Sequence, residues 1–329
     1  MFFFTIRRIL ASVVVLLVSS FLVFSLCAAS FDPLAKYYAR NPQPPQAFFD
    51  NLREQLGLND NFFVRYWHWL TGALHGDFGK TINGTPVAGQ LGARLEVTGR
   101  MIVGAIVIAV VLAIIVGVVG AVRQYHPSDY VSTFVVYILI ALPTFWFAAL
   151  LKEFVAGGIN DLFGDQVLYT IGEQTPGIQL YAHGWELWQD RLGHLVLPTV
   201  SLALLSFAAW SRFQRSAMLD VLGSDYMRLA RAKGLTYRRT VLKHGLRNAL
   251  IPLTTVVALG IGTLFGGAII TEQVFVWHGM GEYLIQDGIG QNDINVVLGW
   301  LLVSAVFVVV FNLIADILYA VLDPRIRLA

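Results

Sequence analysis

The 329 residues are 56% hydrophobic and 13% charged, with 23 Lys/Arg against 21 Asp/Glu and a formal net charge of +2. That composition excludes an ordinary soluble globular domain, and the single cysteine, Cys27, excludes an internal disulfide and a cysteine metal cluster. The chain reads as an all-α polytopic membrane protein, in which the placement of charge says more than its sum.

Arg7 and Arg8 precede an uncharged run, residues 9–30, long enough to cross about 30 Å of hydrocarbon at ~1.5 Å per residue. The two arginines place the N-terminus inside. Cys27 gives the segment the look of a processed leader, but Leu26 is large where processing requires a small residue, so it reads as an uncleaved first span. Residues 31–99 form a polar outer loop carrying Pro42, Pro44, Pro45 and the aromatic patch Tyr66-Trp67-His68-Trp69. Within it, Leu74 to Thr81 mimics a phosphate-binding loop through Gly79-Lys80-Thr81. Leu74 stands where that motif needs glycine, and the strand, helix and cytoplasmic location it requires are not expected here. Asn83-Gly84-Thr85 is a glycosylation sequon, relevant only to a eukaryotic secretory pathway.

Residues 101–122 are charge-free and make the second span, ending inward at Arg123. A short inner turn, 124–129 with Pro127, leads to the third span, 130–151, which Pro143 should kink. The outer loop 152–193 carries Glu153, Asp161, Asp165, Glu173, Glu186 and Asp190, with Lys152 and Arg191 as its only bases. Few bases suit an outer loop, and its acids read as solvated charge rather than a metal or cationic-peptide site. His194 and Pro198 open the fourth span, 195–211.

The loop 212–251 differs from everything before it. From Arg212 to Arg247 it holds nine Lys/Arg against Asp220 and Asp225, a net of +7, and so belongs inside. Ser224 is an N-cap candidate, Asp225 sits at the positive end of the helix dipole, and Gly234 supplies a stop. Tyr226, Leu229 and Ala230 share one helical face, while Arg228, Arg231 and Lys233 lie largely elsewhere. A second basic helix, 237–249, follows the glycine bend, making a protruding knob rather than a catalytic site. By charge alone, a loop that merely fixes topology or touches anionic lipid fits equally well.

Asp225-Tyr-Met-Arg-Leu-Ala-Arg-Ala-Lys-Gly234 and Leu246-Arg-Asn-Ala-Leu-Ile-Pro252 resemble the cytoplasmic ATPase-docking loop of membrane subunits of bacterial ABC importers, in the dipeptide/oligopeptide/nickel branch. That loop is named for Glu-Ala-Ala followed three residues later by Gly. Aligned on Gly234, those positions are Arg228, Leu229 and Ala230, so the Glu is absent. Gly76-Asp-Phe-Gly79 with Pro86-Val87 is similar to the family's outer loop, and Asp323-Pro-Arg-Ile-Arg327 to its tail.

The fifth span, 252–271, carries Gly260, Gly262, Gly266 and Gly267, small residues that suit close helix packing or a translocation path. In the outer segment after it, Glu272 to Gly281 resembles another family signature, with His278 where proline is expected. The last span, 296–322, holds Asn312 and Asp316; Asp316 lies near Arg325 and Arg327 and reads as an inner-interface anchor. Six spans with both termini inside place fourteen bases on inner segments and nine on outer ones.

No metalloprotease helix, nucleophile elbow or paired cysteines occur in the sequence, and no span carries the mid-membrane charge usual in ion-coupled transport. The family resemblance implies a type I ABC importer permease fold. It further implies a B-type permease subunit in a bacterial cytoplasmic membrane, taking up di- or oligopeptides delivered by an extracytoplasmic binding protein. Its partners would be a second homologous permease and one or two ATPase chains that bind ATP and Mg; this chain would hold no cofactor and contact no nucleic acid. Docking would fall on Asp225, Tyr226, Arg228, Leu229, Ala230, Arg231, Lys233 and Gly234. The competing class is a stand-alone proton- or sodium-coupled transporter or channel. The sequence leaves the substrate open, since relatives handle dipeptides, oligopeptides, glutathione and nickel complexes.

Overall fold

The structure, a computed structural model, describes residues 2–38, 41–55 and 57–322. Its helices in chain order are α1 (Phe2–Ser30), α2 (Ala35–Tyr38), α3 (Gln46–Gln55), α4 (Phe62–Leu74), α5 (Val87–Val122), α6 (Pro127–Ala141), α7 (Thr144–Leu150), α8 (Ala156–Phe163), α9 (Trp185–Leu222), α10 (Asp225–Ala232), α11 (Tyr237–Arg239), α12 (Leu246–Phe275), α13 (Met280–Tyr283) and α14 (Ile294–Leu322). Wide π turns, Leu151–Val155, Thr240–Gly245 and Leu284–Ile289, join α7 to α8, α11 to α12 and extend α13. Among the described residues no strand forms; two residues, Lys80 and Pro86, make a lone bridge.

Five helical segments are long and apolar enough to cross a bilayer: Ile6–Ser30, Val87–Val122, Trp185–Leu222, Tyr237–Phe275 and Ile294–Ala315. A sixth crossing comes only from α6 together with Thr144–Phe163, which meet at 112°. The sequence suggests one kinked span there; instead the helix breaks. Leu142 and Pro143 are both extended, as expected where proline removes an N–H and forces the residue before it out of helical geometry. The helices also overrun their apolar runs. At ~1.5 Å per residue, 36-residue α5 and 38-residue α9 reach about 54 and 57 Å, beyond a ~30 Å hydrocarbon core. Pro252, where the fifth span is expected to begin, lies inside α12.

The chain divides into two compact units: residues 1–98 with 278–309, and 99–277 with 310–329. In the first, α1 packs on α4 through aromatic rings. Phe21 and Phe24 meet Phe62 and Tyr66 edge-on at 5.2–5.9 Å. Of the aromatic patch, Tyr66 and Trp69 thus turn inward while Trp67 is exposed. Cys27 is buried beside Phe24, Val297 and Leu298. Asp293 is buried, and its carboxylate accepts the amides of Ile82, Asn295 and Val296 at 2.7, 3.1 and 3.3 Å, pinning the turn before α5 to the start of α14. Burial pushes its carboxyl above the usual carboxylate range despite those amides. His278 and Arg94 both bind Glu282, at 2.9 and 2.6 Å, so the residue standing at the expected proline holds a polar cluster.

In the second unit, α9 packs along α12. The Trp210 ring lies 2.9 Å from where a Gly260 Cβ would stand, and Leu202 lies 3.3 Å from that of Gly267. α5 meets α9 the same way, Gly104 against Thr199 and Gly117 against Gln214. Glycine is needed at 117 because a Cβ would meet Gln214 at 2.8 Å. Asp190 corrects the reading of the outer acids as solvated. It is 4% exposed and accepts both the Thr175 amide, at 2.9 Å, and the Thr175 hydroxyl, at 2.5 Å. His194, one turn on, bonds the Gly172 carbonyl and stacks on Tyr169, so this network ties the loop onto the start of α9.

Candidate functional site

The basic loop folds as a helical hairpin cap between α9 and α12. α9 ends at Leu222; Gly223 and Ser224 make the turn, and α10 runs from Asp225 to Ala232. Ser224 holds the cap position in extended backbone, but its hydroxyl donates back to the Val221 carbonyl at 2.5 Å instead of capping α10. The reason is proximity: the last carbonyls of α9 lack donors two residues before α10 opens. Asp225 pairs with Arg228 at 3.5 Å, both well exposed, which contributes little to stability.

Gly234 turns the chain with φ +82°, and no atom lies within 4 Å of where its Cβ would be. Its role is conformational, since that left-handed geometry is inexpensive only for glycine. The chain then re-enters helix at Tyr237 and continues through the π turn into α12 without a break, rather than closing a separate helix at Ala249. The π turn buries Thr240 and Val241 and brings Gly245 under α10. A Cβ at Gly245 would stand 3.0 Å from the Met218 methyl and 3.2 Å from that of Met227. That notch decides which face of α10 goes in. Met227 and Ala230 are buried, whereas Tyr226 and Leu229, expected on the buried face with Ala230, are 41% and 57% exposed.

The outer surface of the cap is therefore mixed. Tyr226, Leu229, Tyr237 and Leu242 are exposed apolar side chains among Arg228, Arg231, Lys233, Arg238, Arg239, Lys243 and Arg247, all exposed. Arg231 lies over the Tyr237 ring at 4.7 Å, a contact that bridges the two sides of the Gly234 bend. An exposed patch that combines aromatics, leucines and net positive charge suits an acidic-rimmed protein cleft.

One structural device was not foreseen from sequence. Arg215 donates Nε and Nη2 to the two oxygens of Asp129 at 2.9 and 2.8 Å, and the Tyr125 amide adds a third bond. This pair clamps α6 to α9 just before the cap, and Gly120 leaves room for it. Asp129 being the lone acid of the short stretch 124–129 that leads from α5 into α6 was the available signal; its partner, 86 residues on, was not.

The glycines of α12 divide by environment. Gly260 and Gly267 pack on α9, whereas Gly262 and Gly266 are exposed on a face shared with Leu259 and Ile270. Gly79-Lys80-Thr81 sits in the turn before α5 and lines a cavity of about 690 Å³ in the first unit. Among the described residues no His/Cys/Asp/Glu group could hold a metal ion. Asp316 is helical in backbone, while its side chain and Arg325 and Arg327 lie outside the described residues.

Residues 109–328 match the family model described as "Binding-protein-dependent transport system inner membrane component", and residues 1–98 match the model for its N-terminal part. The chain is 44% identical over 326 residues to the "Oligopeptide transport system permease protein OppB" of Mycobacterium tuberculosis, covering 98% of each chain. It is 39% identical over 325 residues to AppB, an oligopeptide transport system permease protein of Bacillus subtilis, again covering 98% of each. To DppB, the dipeptide transport system permease protein of Escherichia coli, it is 34% identical over 288 residues, 84% of each. In fold it resembles a chain of the inward-facing MetNI methionine ABC transporter, with a TM-score of 0.55 and 18% identity over 71% of this chain and 96% of that one.

Proposed function

The chain belongs to the family of binding-protein-dependent transport system inner membrane components, and on that premise we propose that it is one of two similar membrane subunits of an ATP-driven importer of di- or oligopeptides. Peptides arrive from an extracytoplasmic binding protein and cross between this subunit and a second, homologous permease. The chain is a transport component; ATP and Mg are bound, and the ATP hydrolysed, on separate cytoplasmic ATPase chains, which receive the cap around Asp225 to Gly234. The 44% identical oligopeptide permease and the 34% identical dipeptide permease support the substrate class. They also favour this reading over a stand-alone ion-coupled transporter.

The observation that carries the docking assignment is the cap itself. Its inner face is anchored by buried Met227, whose methyl sits over Gly245 as that of Met218 does, while its outer face leaves Tyr226, Leu229 and the basic side chains exposed. Closure of the ATPase chains would push on α10. Because α9 enters the cap at Leu222 and α12 leaves it through a continuous helix, the push would reach both spans without a slack loop.

The test is a mild-detergent pull-down of the tagged chain from its native membrane followed by an ATPase assay. A second permease and one or two nucleotide-binding chains with vanadate-sensitive hydrolysis are the expected result. Replacing Arg231→Glu and Lys233→Glu together should weaken recovery of the ATPase chains while leaving the second permease bound. Recovery of the chain alone, with ion-driven uptake in vesicles, would overturn the proposal.

A further inference from the structure

A cavity of about 160 Å³ opens in the second unit between α5, α6 and α9, lined by Gly117, Thr133, Tyr137, Arg212, Arg215 and Ser216 among others. It exists because three groups around it are held aside. Gly117 contributes no side chain, Arg215 is drawn onto Asp129 by two hydrogen bonds, and Arg212 lies over the Tyr137 ring at 5.0 Å. The volume equals the liquid share of about five waters, enough for a group the size of a phosphodiester.

The charge balance of the pocket is positive. Asp129 and Arg215 cancel, while Arg212 has no carboxylate partner among the described residues. Ser132 and Ser211 spend their hydroxyls on the Asp129 and Ala208 carbonyls. Thr133, Tyr137 and Ser216 line the cavity with hydroxyls that have no hydrogen-bond partner among the described residues. A guanidinium with adjacent hydroxyl donors is the chemistry that recognises a singly charged phosphate ester.

Depth narrows the ligand. Arg212 directly follows the uncharged stretch 195–211, and Arg123 closes the uncharged stretch of α5 on the same side. Tyr130, Phe134 and Phe213, beside the pocket in sequence, are 62%, 67% and 52% exposed. Apolar surface flanks a basic pocket where three helices leave the hydrocarbon. Under the topology of the proposed function, on which this inference rests, that is the headgroup level of the inner leaflet. We propose that this pocket binds the phosphodiester of an anionic phospholipid, with Arg212 supplying the unpaired positive charge.

The test uses the complete importer in nanodiscs of phosphatidylcholine with or without phosphatidylglycerol. It reads the lipid retained after detergent exchange by native mass spectrometry. Wild type should retain phosphatidylglycerol in preference to phosphatidylcholine. Arg212→Ala should reduce that retention about fivefold, the effect of one basic side chain near an anionic leaflet, and Arg212→Lys should restore part of it. Thr133→Val with Ser216→Ala provides a second arm that leaves the arginine in place and should also lower retention. Equal retention of the two lipids by wild type, or unchanged retention in both arms, overturns the proposal. So does displacement of the lipid by glycerol phosphate or inorganic phosphate at equal concentration, which would make the pocket a site for a soluble phosphate. Recovery of the ATPase chains and of peptide-stimulated hydrolysis is scored in parallel, so failure here is separable from failure of the importer assignment.

Discussion

Gly234 and Gln214 show how differently a single residue can matter in this chain. At Gly234 the space is open and only the backbone objects: a β-branched side chain at φ +82° is strained by roughly 1–2 kcal/mol although it touches nothing. Gly234→Val should therefore leave expression near normal and shift the bend between α10 and α11. The expected outcome is ATP hydrolysis that no longer tracks peptide uptake in proteoliposomes, with Gly234→Asn milder because asparagine tolerates that region. Fully coupled transport by Gly234→Val would count against the cap as the docking element. Gln214 is the reverse case. It is fully buried against Gly117, and neither amide atom has a hydrogen-bond partner among the described residues. An unmet buried amide costs roughly 1–3 kcal/mol. Gln214→Met, close in volume, should raise Tm in detergent by several degrees. If stability rises and transport falls, the amide is used in the other state of the cycle; if Tm drops, the cost assigned to it is wrong.

At the scale of elements, the apolar runs were legible because hydrocarbon length is a strong constraint, but the ends of the helices were not. Nothing in a hydropathy pattern says that α5 and α9 continue well beyond the bilayer, or that α12 begins in the basic loop with Pro252 inside it. The break at Pro143 was visible as a proline and not as an angle, since 112° depends on what α7 packs against as well as on the missing N–H. The glycines of α12 were legible as a packing signal, and only the fold separates their roles. Gly260→Leu should destabilise the chain itself, because Trp210 already stands 2.9 Å from the Cβ position. At Gly266, on the exposed face, a Cβ meets no atom of this chain within 4 Å, and Gly266→Leu should leave the fold intact. If the exposed Gly262 and Gly266 face receives the second permease, Gly266→Leu should lower recovery of that subunit several-fold without changing the thermal melt of the isolated chain. Normal recovery would leave the face to lipid.

At the scale of the whole molecule, the candidate site was readable as a location and misread as a surface. The charge of residues 212–251 and the Gly234 stop located the cap. Which face of α10 is buried depends on Gly245, brought underneath by a π turn that has no sequence signature, so Tyr226 and Leu229 point out and Met227 points in. The Asp129 to Arg215 clamp escaped for a related reason, because its partners are distant in sequence and meet only after α6 and α9 pack. These details carry a mechanical consequence. The cap is tied to the spans at three places: the packing of Met218 and Met227 on Gly245, the two-residue turn at Gly223 and Ser224, and the unbroken helix from Tyr237 into α12. Force applied to its outer face would pass to α9 through that two-residue turn and to α12 through the Gly234 bend and the packing at Gly245. Inserting a flexible Gly-Gly-Ser between Leu222 and Gly223 lengthens the two-residue turn while leaving every exposed side chain of α10 in place. The insertion variant should still bring down the ATPase chains and hydrolyse ATP, yet lose most peptide uptake, because α9 no longer follows α10. Retained uptake would mean that α12 alone transmits the stroke, and a matching insertion between Leu235 and Thr236 would then be the one to abolish it. If both insertions transport normally, the cap is a tether that holds the ATPase in place, and the force reaches the spans by another route.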